Sequence, residues 1–166
     1  VDALKKQFNI LPGEIDLATF PLFALYAPAM GMTSIIPDMN FTQPGKASPK
    51  KLFSAIKKYN ATTMFGSPAL IDRAGRYGEK NSIALPSLKR VLSAGAPVPP
   101  NVLARFAGLL KDNIQLFTPY GATECLPVAS IGSHEVLLET RKDTDAGKGI
   151  CVGKPVNSIS ADIIPI

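Results

Sequence analysis

Apolar and polar residues fall in short alternating blocks along this chain, and the blocks read in turn as strands and helices. Ile15–Phe20 is apolar apart from Asp16 and is followed by Pro21, which marks a strand and its end. Leu22–Met32 is long enough for a helix that Pro28 must kink or shorten. Thr33–Ile36 is a short strand stopped by Pro37. A loop rich in Asp, Asn, Pro and Gly then leads to Ser48, an N-cap with Pro49 in the first turn. Over 48–60, Leu52, Phe53, Ile56 and Tyr59 share one helical face, with Lys50, Lys51, Lys57 and Lys58 on the other.

The pattern repeats through the second half. Ala61–Phe65 reads as a strand, Ser67-Pro68 opens a helix through about Tyr77, and Lys89–Ser93 is the next strand. Pro99-Pro100 leads into a helix whose Val102, Leu103, Phe106, Leu109 and Leu110 form one apolar stripe. Ile114–Phe117 reads as a buried strand that ends in a tight turn near Tyr120-Gly121. The stretch 140–149 is polar and reads as mobile without being a domain linker, a Gly/Pro turn follows, and Ala161–Ile164 reads as a last strand. Such alternation predicts an α/β fold of layered βαβ units, with a mostly parallel sheet and right-handed crossovers.

Composition narrows this only a little. The 166 residues are 46% hydrophobic and 19% charged, enough for one packed domain with a slightly charge-poor surface. The start, Val1-Asp2-Ala3, and the finish inside an apolar run predict an internal piece of a larger domain. Net charge is +5, much of it at Lys46, Lys50, Lys51, Lys57 and Lys58, where no aromatics are interleaved. That favours a solvated helix back over a nucleic-acid surface. Apolar runs break well short of spanning length, so no transmembrane segment is expected and a cytoplasmic protein is. The two cysteines, Cys125 and Cys151, make neither a disulfide framework nor a metal cluster. Oligomeric state is not legible.

Several chemistries drop out. His134 is the one histidine and reads as a surface residue near a helix start. Phe65-Gly66-Ser67-Pro68 lacks the second glycine of a nucleophile elbow. Gly147–Pro155 misses both the dinucleotide fingerprint and the phosphate-binding loop by spacing.

What remains is a cluster of strand ends. Tyr120 offers a ring, Gly121 close backbone approach, Thr123 a hydroxyl and Glu124 a carboxylate for a hard cation. Ser93-Ala94-Gly95-Ala96-Pro97 supplies small side chains on which a flat ring can lie, and Phe65-Gly66 adds a wall. In open α/β sheets, ligands bind at the carboxyl ends of strands.

These segments resemble the adenylate-forming superfamily of acyl-CoA synthetases, luciferases and peptide-synthetase adenylation domains. Tyr120–Glu124 matches its Y-G-x-T-E motif, and Ser93–Pro97 is similar to its S-G-G-A-P segment with Ala94 at the first glycine. Val152–Val156 is similar to its G-x-P-x-P turn. Met64–Leu70 and Tyr120–Pro127 further resemble the branch that includes the olefin β-lactone synthetases.

The resemblance implies that residues 1–166 are part of a large N-terminal AMP-binding domain. It implies ATP and Mg²⁺ as cofactors, a carboxylic acid substrate of medium or long chain, and CoA as an acceptor. Gly95, Ala96 and Pro97 would border adenine, Tyr120 would flank it, and Gly121, Ala122 and Thr123 would complete the nucleotide contacts. Thr123 and Glu124 would act in catalysis, with Glu124 holding magnesium. Phe65, Gly66, Gly121 and Leu126 would line the acyl channel.

The family's phosphate loop, ribose-binding Asp and lid with its lysine are not among these residues, so the isolated chain is expected to be inactive. Pro21-Leu22-Phe23 is followed by Ala24 where an aromatic or histidine is common in the family. Three readings stand at this point: an AMP-forming acyl ligase, a β-lactone synthetase acting on a β-hydroxy acid, and a noncatalytic nucleotide-binding domain.

Overall fold

A computed structural model describes every residue except Thr123, Ser158, Ile163, Pro165 and Ile166. Helix α1 (Asp2–Phe8) precedes β1 (Ile15–Leu17), α2 (Pro21–Ala29) and β2 (Thr33–Ile35). Then come α3 (Pro49–Tyr59), β3 (Thr63–Phe65), α4 (Pro68–Lys80), β4 (Arg90–Leu92) and α5 (Pro100–Ala107). A long hairpin follows, β5 (Leu116–Ala122) and β6 (Cys125–Gly132). The chain closes with α6 (Ser133–Glu135), a π-helical stretch (Val136–Thr140), α7 (Arg141–Asp145) and β7 (Lys154–Pro155).

The strands form one sheet in the order β2-β1-β3-β4-β5-β6-β7. The first five are mutually parallel, and β6 and β7 run antiparallel at one edge. The parallel α/β fold read from the sequence is present. The strand order reverses between β1 and β3, so right-handed crossovers send α2 to one face and α3, α4 and α5 to the other.

Two cores record that division. Leu17, Met64, Val91, Leu116 and Ile131 point from the sheet into one core, against Leu52 and Ile56 of α3, Ile71 of α4, and Leu103 and Phe106 of α5. Phe65 and Leu92 point the other way, against Phe8 of α1, Ala27 of α2, Met30 and Met32. Each strand residue changes face at the next position, so Leu92 and Ser93 belong to opposite sides.

Helix limits follow local chemistry. Pro49, Pro68 and Pro100 each open a helix, where a missing N–H costs nothing. Ser67 Oγ accepts the Leu70 N–H at 3.4 Å, a true N-cap, whereas the Ser48 side chain makes no such bond. Asn60 ends α3 in the left-handed region at φ 51°. Tyr59, expected on the apolar face, stands 46% exposed at that helix end with Lys58 Nζ 4.9 Å from its ring centre. Helix α2 stops at Ala29, one residue past Pro28.

Three expectations change. The strand after Leu116 does not end near Tyr120 but continues to Ala122, because β6 folds back and pairs with it. The polar stretch read as mobile is helical over Arg141–Asp145, with Lys148 Nζ donating to Asp143 Oδ1 at 2.8 Å. The described residues among Ala161–Ile164 form no strand; Lys154-Pro155 takes the free edge of β6 instead.

Candidate functional site

The carboxyl ends of β4 and β5 meet around one cleft. Leu92 ends β4, and the Ser93 N–H still donates to the Phe117 carbonyl at 2.9 Å, keeping the two strands in register into the loop. Gly95 then turns the chain at φ 94°, a region favoured for glycine. The loop 93–97 and the strand 118–121 enclose about 460 Å³. That volume falls within the size range of small-molecule sites.

Gly95, Ala96 and Pro97 form one wall, and Thr118, Pro119, Tyr120 and Gly121 the facing one. Val98, Leu103 and Val136 close the apolar interior, and Ile150, Cys151 and Val152 lie across another side. Tyr120 is 55% exposed, so its ring is available to a ligand rather than sunk in the core.

Gly121 has a structural reason of its own. A Cβ there would lie 2.5 Å from the Cys125 carbonyl oxygen and 3.2 Å from Leu126 Cα. The pairing of β5 with β6 shifts between Tyr120 and Ala122, and the hairpin backbones come too close for any larger residue.

The remaining expected residues divide in two. Ala122 at the end of β5, Glu124 in the turn and Leu126 near the start of β6 make up the exposed tip of the hairpin, outside the cleft lining. Thr123 lies outside the described residues. Phe65 and Gly66 occupy the end of β3 and do not line the cleft. Phe65 faces the second core, stacked on Phe23 with ring centres 4.4 Å apart, beside an apolar void of about 30 Å³. At Gly66 a Cβ would meet Ile71 Cδ1 at 2.8 Å and Leu70 Cδ2 at 3.1 Å, so close packing against α4 accounts for that glycine.

Sequence reading missed part of the lining. Ser93 counts in the sequence only as a small side chain, not as a hydroxyl, and Thr118 has no signal of its own. The segment 150–152 reaches the cleft through a turn whose glycines carried no spacing signal. His134 is exposed at α6, as expected of a surface residue.

A buried charged row crosses the second face of the sheet. Asp16, Thr63 and Arg90 are side by side on β1, β3 and β4. Arg90 forms an ion pair with Glu14, donates to Thr63 Oγ1 at 2.7 Å and donates to the Asn9 carbonyl at 2.8 Å. Burial pushes the Glu14 carboxyl up, yet the hydrogen bond and charge of Arg90, with the charge of Lys89, hold it below its ordinary value. Burial pushes the Asp16 carboxyl up to about 7 against a smaller pull from Arg90. This row ties α1 and three strands together at the level just before the loop at Ser93.

The fit to a metal and a nucleotide rests on donor chemistry. The described residues hold no group of three or more His, Cys, Asp or Glu side chains that chelates a metal unaided. Magnesium commonly takes one or two protein carboxylates and completes its shell with water and substrate phosphates, and the exposed Glu124 carboxylate at the hairpin tip is a donor of that kind. The apolar cleft with an exposed aromatic ring suits a base. Among the described residues, no helix is long and apolar enough to cross a membrane.

The chain is 48% identical over all its 166 residues to the olefin β-lactone synthetase of Xanthomonas campestris pv. campestris, and equally so to that of Stenotrophomonas maltophilia. It spans 29% of the length of each. An amide bond synthetase from Marinactinospora thermotolerans shares the fold with a TM-score of 0.69 and 22% identity, over 94% of this chain and 30% of that one. Residues 15–164 match the family described as AMP-binding enzyme, and the chain belongs to that family.

Proposed function

We propose that this chain is part of a longer, ATP-dependent, AMP-forming acyl ligase, and that residues 1–166 contribute its adenine cleft and the start of its acyl site. The single observation that carries this reading is the convergence of two strand ends on one cleft. Gly95-Ala96-Pro97 and Tyr120-Gly121 lie on facing walls.

In this reading adenine lies between the 95–97 loop and the Tyr120 ring. Gly121 admits the reacting carboxylate beside the backbone, Thr123 hydrogen-bonds a phosphate oxygen, and Glu124 holds magnesium. The substrate carboxylate attacks the α-phosphate, the bond to pyrophosphate breaks, and acyl-adenylate forms. A nucleophile then displaces AMP from the acyl carbon. Bound magnesium supplies neutralisation of the charge on the departing pyrophosphate. The chain's own residues orient base and carboxylate; proximity and alignment supply much of the rate.

The acyl chain is assigned to the other side of β4. Phe65, with Gly66 beside it, borders an aromatic cluster of Phe20 and Phe23. Phe20 is 46% exposed there, leaving apolar surface for a fatty chain. Leu126 at the hairpin tip is assigned to the same channel.

The identity of the acceptor divides two versions. Similarity to feruloyl-CoA synthase of Amycolatopsis, 28% over 124 residues, favours CoA. The 48% identity to olefin β-lactone synthetases over the whole chain favours an internal hydroxyl, with a β-hydroxy acid closing on itself. The second is the better supported.

The test is pyrophosphate release from ATP by the full-length protein with a panel of fatty and β-hydroxy fatty acids, followed by product analysis. Acid-dependent pyrophosphate and AMP with a β-lactone product are expected. A stoichiometric CoA thioester would move the conclusion to the CoA version. No pyrophosphate with any acid would overturn both.

A further inference from the structure

Ser93 stands out once the cleft is assigned. It lies on the cleft wall and is 1% exposed. Its hydroxyl has no hydrogen-bond partner among the described residues. Leu92 faces the second core, so alternation turns the Ser93 side chain to the cleft side, where Val98, Leu103 and Val136 are its apolar company. A buried hydroxyl left unpaired forfeits the bonds it makes with water, and such groups are rare in folded proteins without a reason.

The cleft has a direction. Tyr120, at its mouth, is 55% exposed, and the chain continues from it toward the hairpin tip with Glu124. A nucleotide whose phosphates lie toward Glu124 places its glycosidic nitrogen at that end. The opposite edge of the purine, carrying the exocyclic amine, then reaches deepest. The floor there is apolar apart from this one serine and Thr118, whose Oγ1 already donates to the Ile131 carbonyl at 3.5 Å.

We propose that the Ser93 hydroxyl accepts a hydrogen bond from the exocyclic amine of adenine, turning about χ1 to meet it. The assignment rests on the adenylate-forming reading above and adds a base-selecting residue to it. In the free protein the hydroxyl is an unsatisfied group, and ligand binding satisfies it.

The test measures equilibrium binding of AMP and of purine riboside 5′-monophosphate, which lacks the amine, to the full-length protein and to its Ser93→Ala variant. In the unaltered protein AMP is expected to bind about tenfold tighter than the analogue, the scale of one neutral hydrogen bond. In Ser93→Ala the two ligands are expected to bind alike, and the thermal midpoint without ligand should be unchanged or higher. Ser93→Cys, with a weak acceptor of similar size, should give an intermediate preference.

Retention of the full AMP preference in Ser93→Ala overturns the proposal while leaving the nucleotide site intact. A lowered midpoint with an unchanged preference also overturns it, since the hydroxyl then serves packing alone. Failure of the unaltered protein to bind AMP removes the adenylate reading, and this inference falls with it.

Discussion

Replacing Asp16 with asparagine tests what a carboxylate costs when pressed against apolar side chains. Asp16 is 5% exposed on β1, beside a void lined by Phe8, Phe65 and Leu92. Burial raises its pKa from 3.8 to about 7, with Arg90 pulling the other way. In the unfolded chain the same group titrates at about 3.9. Between about pH 4 and pH 7 the folded protein therefore binds the extra proton, and stability falls as pH rises through that window. Above about pH 7 both states are ionised and the loss is complete. At 1.36 kcal/mol per pH unit it amounts to about 4 kcal/mol.

Asparagine keeps the shape and removes the charge. Urea denaturation of both proteins from about pH 5 to about pH 8 measures the effect. The difference curve is expected to climb in favour of Asp16→Asn by roughly 2.5 kcal/mol across that range, the two pH units between 5 and 7 at 1.36 kcal/mol each, most of it before pH 7. The depressed carboxyl of Glu14 loses its contribution only as pH falls below the ordinary carboxylate range, outside the window. Parallel stability curves for the two proteins would refute the account of Asp16 as a buried, charge-penalised acid.

Three further substitutions probe the frame and the site. Arg90→Met strands Glu14 inside the sheet and is expected to lower stability by about 3–5 kcal/mol in the same denaturation assay, with Glu14→Gln in the same chain restoring part of it. Gly121→Ala forces a methyl against the Cys125 carbonyl. It should cost about 1–3 kcal/mol in thermal unfolding and weaken AMP binding, because the hairpin must shift at the cleft wall. Glu124→Ala should leave the thermal midpoint unchanged, since the side chain is exposed, while cutting magnesium-dependent pyrophosphate release by about 10²-fold. Unaltered release would take Glu124 out of the site.

The alternation of apolar runs with proline-opened amphipathic helices already specified a parallel α/β layer, since Leu52, Phe53 and Ile56 or Val102, Leu103 and Phe106 have one way to bury together. Gly95 and Gly121 were legible as special positions because glycine is the residue that tolerates positive φ or backbone contact. The length of β5 was not legible. Thr118–Ala122 is strand only because Cys125–Gly132 returns to pair with it, and a strand's hydrogen bonds belong to its partner as much as to itself. The same holds for Ser93, whose unpaired hydroxyl is a property of its surroundings.

Sequence by itself thus determined the periodic elements and the residue types gathered at strand ends, because periodicity and backbone freedom are local. Tertiary structure decided which of those ends share a cleft. It put Phe65 on one face of the sheet, and Ser93 with Gly95–Pro97 and Tyr120 on the other. Face is set by the two-residue alternation of a strand together with the side to which each crossover helix packs, and the second of these appears only when the whole sheet is assembled.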